Sequence, residues 1–126
     1  MRRIPMSNIQ LVQESTSIWA IVKDDLTATT VPALQDALKT ALNKDAHDIV
    51  FDFQQLRSID SSGIGLLLAA KNSMVTRQGS LRLINVPADI FSLFETMRLV
   101  DSLNAELASN DSDADLEQCF ELAQTV

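Results

Sequence analysis

The segment Asp48-Ile49-Val50-Phe51-Asp52-Phe53 is β-branched and aromatic, with little alternation of polar and apolar side chains. A strand with one wet face would alternate, so this run is better suited to a central strand covered on one face or on both. A chain built around it must supply neighbouring strands for its backbone and helices for its side chains. The rest of the sequence offers both.

Residues 9–12 and 18–22 are short apolar runs separated by polar residues 13–17, which predicts two strands joined as a hairpin. From Val31, apolar side chains recur at Leu34, Leu38, Ala41 and Leu42, the spacing of one helical face. Pro32 falls in the first turn of that helix, where its missing N–H costs little, and Thr29 or Thr30 is the expected cap. Residues 64–77 read as a second helix, with Leu67, Leu68, Lys71 and Val75 along one line and Gly79 as its stop. Residues 80–86 form a short run closed by Pro87 and read as a strand. A third helix follows, carrying Ile90, Phe91, Phe94 and Met97, and the alternating residues 102–107 suit an edge strand. Residues 108–113 are polar and acidic, a loop. Ser112-x-x-Asp115 then resembles a capping box ahead of Leu116, Cys119, Phe120 and Ala123, which share one face of a closing amphipathic helix.

This order predicts an α/β fold: a mixed, mostly parallel sheet of four to five strands opened by a hairpin, with about four helices. The expected organisation is an N-terminal tail over residues 1–7 and a single domain over residues 8–126, of which residues 107–126 are the loop and C-terminal helix. At 126 residues, 46% of them hydrophobic, the chain can fill one core and not two. Ten basic residues stand against 17 acidic ones, a formal charge of -7. That sign repels phosphate backbones and anionic lipid heads, which argues against nucleic-acid and membrane-surface partners. The longest apolar run, residues 64–70, is far short of the roughly 20 residues that span a bilayer. Arg2 and Arg3 are not followed by the apolar stretch of a secretory signal, so the expectation is a cytoplasmic protein.

Enzyme chemistry finds few of its usual parts. His47 is the single histidine and lies just before a strand with no cysteine near it in sequence, which favours a surface turn residue over a general base. Cys119 is the single cysteine and falls on an apolar helical face, so it reads as core, with no disulfide or multi-cysteine metal site available. Gly63-x-Gly65 lacks the third glycine of a dinucleotide fingerprint, and there is no Lys-Ser/Thr pair for a phosphate loop. No cofactor is implied. What stands out is the junction Leu56-Arg57-Ser58-Ile59-Asp60-Ser61-Ser62-Gly63-Ile64-Gly65-Leu66-Leu67-Leu68. Taken by itself it is a helix entrance, capped by Asp60 or Ser61, with glycines that let the helix pack closely.

In context the junction resembles the signature of STAS domains related to bacterial anti-sigma-factor antagonists. The resemblance extends upstream to Leu26-Thr27 through Leu34 and downstream to Val86-Pro87 with Phe94 and Leu99, covering roughly residues 8–107. It implies that Ser61, the serine directly after the aspartate, is phosphorylated by a partner serine kinase that is also the anti-sigma factor, and dephosphorylated by a serine phosphatase. Unphosphorylated, such a protein sequesters that kinase; phosphorylated, it releases it. The surroundings of Ser61 would be Asp60, Ser62, Gly63 and Gly65, the glycines keeping the surface low for the kinase. Where family members often show a glycine and an aspartate after the second strand, this chain has Asp24 and Thr27, and Asp25 is the candidate substitute for the acid. Ile64, Leu66, Ala69 and Ala70 are candidate apolar contacts for the partner. The alternative is a constitutive STAS subunit of a lipid-transport ABC complex or a signalling scaffold. Both readings describe a binding protein and not an enzyme.

Overall fold

The computed structural model describes residues 9–42 and 46–108. Strand β1 (Ile9–Glu14) turns at Ser15, which has a positive φ of 58°, and pairs antiparallel with β2 (Ser17–Val22). The chain crosses through β3 (Asp24–Leu26) and α1 (Val31–Ala41) to β4 (Asp48–Asp52), which lies parallel to β2. It continues through β5 (Leu56–Ile59) and α2 (Ser61–Thr76) to β6 (Ser80–Val86), then through α3 (Ala88–Thr96) to β7 (Ala105–Leu107). The main sheet has the order β1-β2-β4-β6-β7 and is parallel apart from the opening hairpin.

The expected central strand is thus β4, flanked by two strands on either side. Its register stacks Ile18 beside Ile49 and Leu81, and Ala20 beside Phe51 and Leu83. These six residues face the helices and are almost wholly buried. Leu34 and Leu38 of α1, Leu67 and Met74 of α2 and Ile90 and Phe94 of α3 join Phe51 and Leu83 in one core cluster. The other side of the same strands carries Trp19, Val50 and Arg82 in one row and Ile21, Asp52 and Ile84 in the next.

Three features depart from the sequence expectation. A second, two-stranded parallel sheet joins β3 to β5. These strands have three and four residues, too few to show a period. Helix α2 starts at Ser61 and not at residue 64, and it turns a different face inward. Val75, expected on the packed line, is 59% exposed, whereas Met74 is fully buried. Gly63, Leu67, Ala70 and Met74 follow an i, i+4, i+7, i+11 stripe. Because apolar residues occur nearly all round this helix, periodicity alone did not select that stripe. The last strand is also shorter than expected, because residues 101–104 form a turn with Asn104 at a φ of 50°.

Among the described residues there are three helices. The expected fourth helix, Cys119 within it, and the tail over residues 1–7 lie outside the described residues. No helix among the described residues is long and apolar enough to cross a membrane.

Candidate functional site

The junction between β5 and α2 is organised by Asp60. Its backbone is extended, with φ -120° and ψ -172°, and its side chain caps α2 by accepting from the Gly63 N–H at 3.1 Å. The second carboxylate oxygen reaches across to the loop after β3 and accepts from the Ala28 N–H at 3.0 Å. The Asp60 N–H donates to the Leu26 carbonyl at 3.3 Å. One residue therefore ties the start of α2 to the β3–α1 connection. The Ala28 N–H, then that of Gly63, hold the Asp60 carboxyl below its ordinary value of 3.8; desolvation opposes them, and the Ser62 N–H adds a smaller lowering. Asp60 is an anion held by main-chain donors.

Gly63 is required by the approach of α2 to β3. A Cβ there would meet the Leu26 carbonyl oxygen and stand 2.8 Å from Ile59 Cγ1. Its role is close packing, and the expectation that it lowers an outward surface does not hold, because the residue is buried. Gly65 is different: it is exposed, and nothing lies within 4 Å of where its Cβ would be.

Ser61 is the first residue of α2 and is exposed, whereas Ser62 is half-buried. One helical turn apart, Ser61, Gly65 and Ala69 are all exposed and share one face. The other three candidate partner contacts do not lie there. Ile64, Leu66 and Ala70 are 6%, 8% and 7% exposed and belong to the core cluster. Their packing follows from the inward stripe of α2, which leaves Ala69 as the one exposed member of the four.

On the opposite side of the junction, Thr27 opens a small self-tied loop. Its N–H donates to Thr30 Oγ1 at 3.0 Å, and the Thr30 hydroxyl donates to the Asp25 carbonyl at 2.9 Å. Thr30 precedes α1 as expected of its cap, but its hydroxyl serves this loop and not the helix N–H groups. The Asp25 carboxylate accepts from Ser58 Oγ at 2.6 Å, a bond between β3 and β5. Asp24, at the position where glycine was expected, has a φ of 63°, a left-handed conformation that glycine adopts freely and aspartate tolerates better than most.

The structure therefore brings the Thr27–Ala28 turn, Asp60 and Gly63 together, with Ser61 beside them at the surface. Sequence reasoning did not assign Ala28 or Ser58 to the site, and it gave Thr30 only as a helix cap. Ala28 contributes only its backbone, so no side-chain signal marks it, while Thr30 and Ser58 carry hydroxyls next to the expected motif. His47 is exposed, with its N–H on the Thr16 carbonyl and its own carbonyl accepting from Ser80, both at 2.8 Å. Among the described residues no three His, Cys, Asp or Glu side chains are grouped to hold a metal ion.

Comparison with known proteins gives a consistent result. The family described as "Mlab, STAS domain" matches residues 21–107. The anti-sigma-B factor antagonist of Listeria monocytogenes is 28% identical over 111 residues, covering 85% of this chain and 97% of that protein. Among solved structures, the phosphorylated form of the Bacillus cell fate determinant SpoIIAA superposes with a TM-score of 0.65 at 21% identity, covering 90% of this chain and 96% of that one. The anti-sigma factor antagonist SpoIIAA in its unphosphorylated form gives a TM-score of 0.62 at 19% identity, covering 94% and 99%. At these identities the two structures speak for the fold.

Proposed function

Because this chain belongs to the STAS domain family, we propose that it is an anti-sigma-factor antagonist, a binding module switched by phosphorylation of Ser61. Unmodified, it holds a serine kinase that doubles as the anti-sigma factor; modified, it releases that partner, and a serine phosphatase resets it. The observation that carries this reading is the exposed Ser61 at the mouth of α2, beside the small and uncharged Gly65 and Ala69. A kinase can reach that hydroxyl without displacing core side chains.

A phosphate on Ser61 adds about -1.5 to -2 charges at pH 7. The N-terminus of α2 offsets part of that charge, by about 0.3–1 kcal/mol at an exposed site. A partner surface shaped around a neutral hydroxyl must instead desolvate a dianion, and a loss of about 1.4 kcal/mol already weakens binding tenfold.

The test compares Ser61→Ala and Ser61→Asp in capture of proteins from host lysate, with phosphosite mapping of the wild-type chain. The reading expects Ser61→Ala to retain a serine kinase, Ser61→Asp to lose it by tenfold or more, and the wild-type phosphate to map to Ser61. Equal capture by the two variants removes the switch. It would instead favour a constitutive role, as a subunit of a lipid-transport complex or a scaffold, which has no use for a reversible serine.

A further inference from the structure

We propose that the outer edge of β1 pairs antiparallel with the same edge of a second copy of this chain, joining two main sheets across a two-fold axis. Strand β1 ends the main sheet, with β2 on its inner side and no strand of the described residues on its outer side. Its six residues pair with β2 in unbroken register and include no Lys, Arg or Pro. Charges of that kind, a proline or a bulge are what ordinarily keep a sheet edge from pairing. The one charge on β1 is Glu14, at its last position. Gln10, Val12, Gln13 and Glu14 are exposed and Leu11 is half-buried, so the strand is open along most of its length. The opposite edge is blunted: β7 has three residues, shifts register against β6 and carries Glu106 in an ion pair with Arg82.

The hairpin fixes which main-chain groups face outward. Glu14 and Ser17 flank a two-residue turn in which Ser15 has a φ of 58°, so they exchange hydrogen bonds, as do Val12 with Trp19 and Gln10 with Ile21. The N–H and carbonyl groups of Ile9, Leu11 and Gln13 therefore point away from the sheet. An axis through Leu11 sets Leu11 against its copy and Ile9 against Gln13, which makes about six main-chain hydrogen bonds, whereas an axis through Val12 makes about four. Leu11 lies in one row with Ala20, Phe51 and Leu83 on the helix-bearing side. Those three are fully buried, and Leu11, packed against the same cluster, is covered only in part. Pairing through Leu11 continues this apolar row into the copy, and on the other side it sets Val12, 43% exposed, against Gln10. The two Glu14 side chains then stand about 20 Å apart along the strands, well beyond the screening length of about 8 Å at physiological salt. Helix α2 packs on β5 and β6, away from β1, so Ser61 stays at the surface of each copy.

Sedimentation velocity on the full chain from about 10 µM to about 1 mM should show a dimer whose fraction rises with concentration. Gln13→Pro removes an outward N–H and no bond to β2, so it should keep the far-ultraviolet spectrum and raise the dissociation constant at least about tenfold. Val12→Lys, which puts a charge on the paired edge, should act in the same direction, while Leu107→Lys on β7 should leave association unchanged. Amide exchange locates the contact: the Leu11 and Gln13 N–H groups should exchange freely in the dilute chain and become protected as the dimer forms, with Val12 protected throughout. A chain that stays monomeric over this range overturns the proposal. So does a dimer that survives Gln13→Pro and is lost in Leu107→Lys. Protection of Leu11 and Gln13 in the monomer also overturns it, and assigns the edge to another segment of the same chain.

Discussion

Replacing Gly63 by alanine should weaken the fold, and the same replacement at Gly65, two residues further along α2, should strengthen it. A Cβ on Gly63 would enter space held by the Leu26 carbonyl and would stand 2.8 Å from Ile59 Cγ1 and 3.0 Å from Leu26 Cγ. A main-chain carbonyl cannot rotate aside as a long side chain does, and this one already accepts the Asp60 N–H. The start of α2 must therefore lift away from β3. Overpacking of this kind costs about 1–3 kcal/mol, and a backbone obstacle belongs in the upper half of that range. Better helix propensity returns about 0.8–1 kcal/mol, leaving a net loss of about 1–2 kcal/mol. At Gly65 nothing lies within 4 Å, so the propensity gain stands alone. The two variants should then differ by about 2–3 kcal/mol. With a urea slope of about 1.5 kcal/mol/M, their midpoints would be separated by about 1.5 M. Equilibrium unfolding in urea, with slopes compared, measures this directly. A Gly63→Ala midpoint at or above the wild type, or two variants that shift together, would refute the packing argument.

Two further outcomes follow from the same geometry. Asp60 has a folded-state value below its ordinary 3.8, so its ionised form stabilises the fold fully above that value and the contribution disappears as pH falls through the folded value. The stability difference between the wild type and Asp60→Asn should be flat at neutral pH and shrink below 3.8; a difference that changes instead near pH 6–7 would contradict the clamp. On α2, Met74→Ala should cost about 2–5 kcal/mol because Met74 is fully buried. Val75→Ala should stay within about 0.5 kcal/mol, and the reverse order in thermal unfolding would return the helix to the face its sequence spacing favoured.

How much of this was legible depends on which physical signal each part leaves in the chain. Residues 48–53 announced a central strand because apolar side chains on both of its faces remove alternation, and β4, with Ile49, Val50 and Phe51 all buried, is that strand. The hairpin was legible because polar residues 13–17 separate two apolar runs. Helix α2 was legible as a helix but not in its orientation, since Leu66, Leu67, Leu68, Ala69 and Ala70 offer apolar side chains in almost every direction. What selects the inward stripe is Gly63 against Leu26, a contact between residues 37 apart in sequence that no local window contains. The small β3–β5 sheet left no trace for a related reason. Its pairing is main-chain, and the Ser58 to Asp25 side-chain link joins distant polar residues that look like loop.

The division of labour at the junction also bears on how binding measurements should be read. Asp60 uses one carboxylate oxygen on Gly63 and the other on Ala28, so the helix entrance and the β3–α1 loop are held together without the Ser61 side chain. Neither of these bonds uses the Ser61 side chain, so the proposed switch predicts that a substitution at Ser61 changes binding without unfolding the chain. A substitution at Asp60 is different in kind, since it releases two main-chain donors on two separate segments. Loss of partner binding in an Asp60 variant therefore reports a displaced loop as readily as a lost contact. Only a variant that leaves Asp60 in place can assign the effect to the hydroxyl.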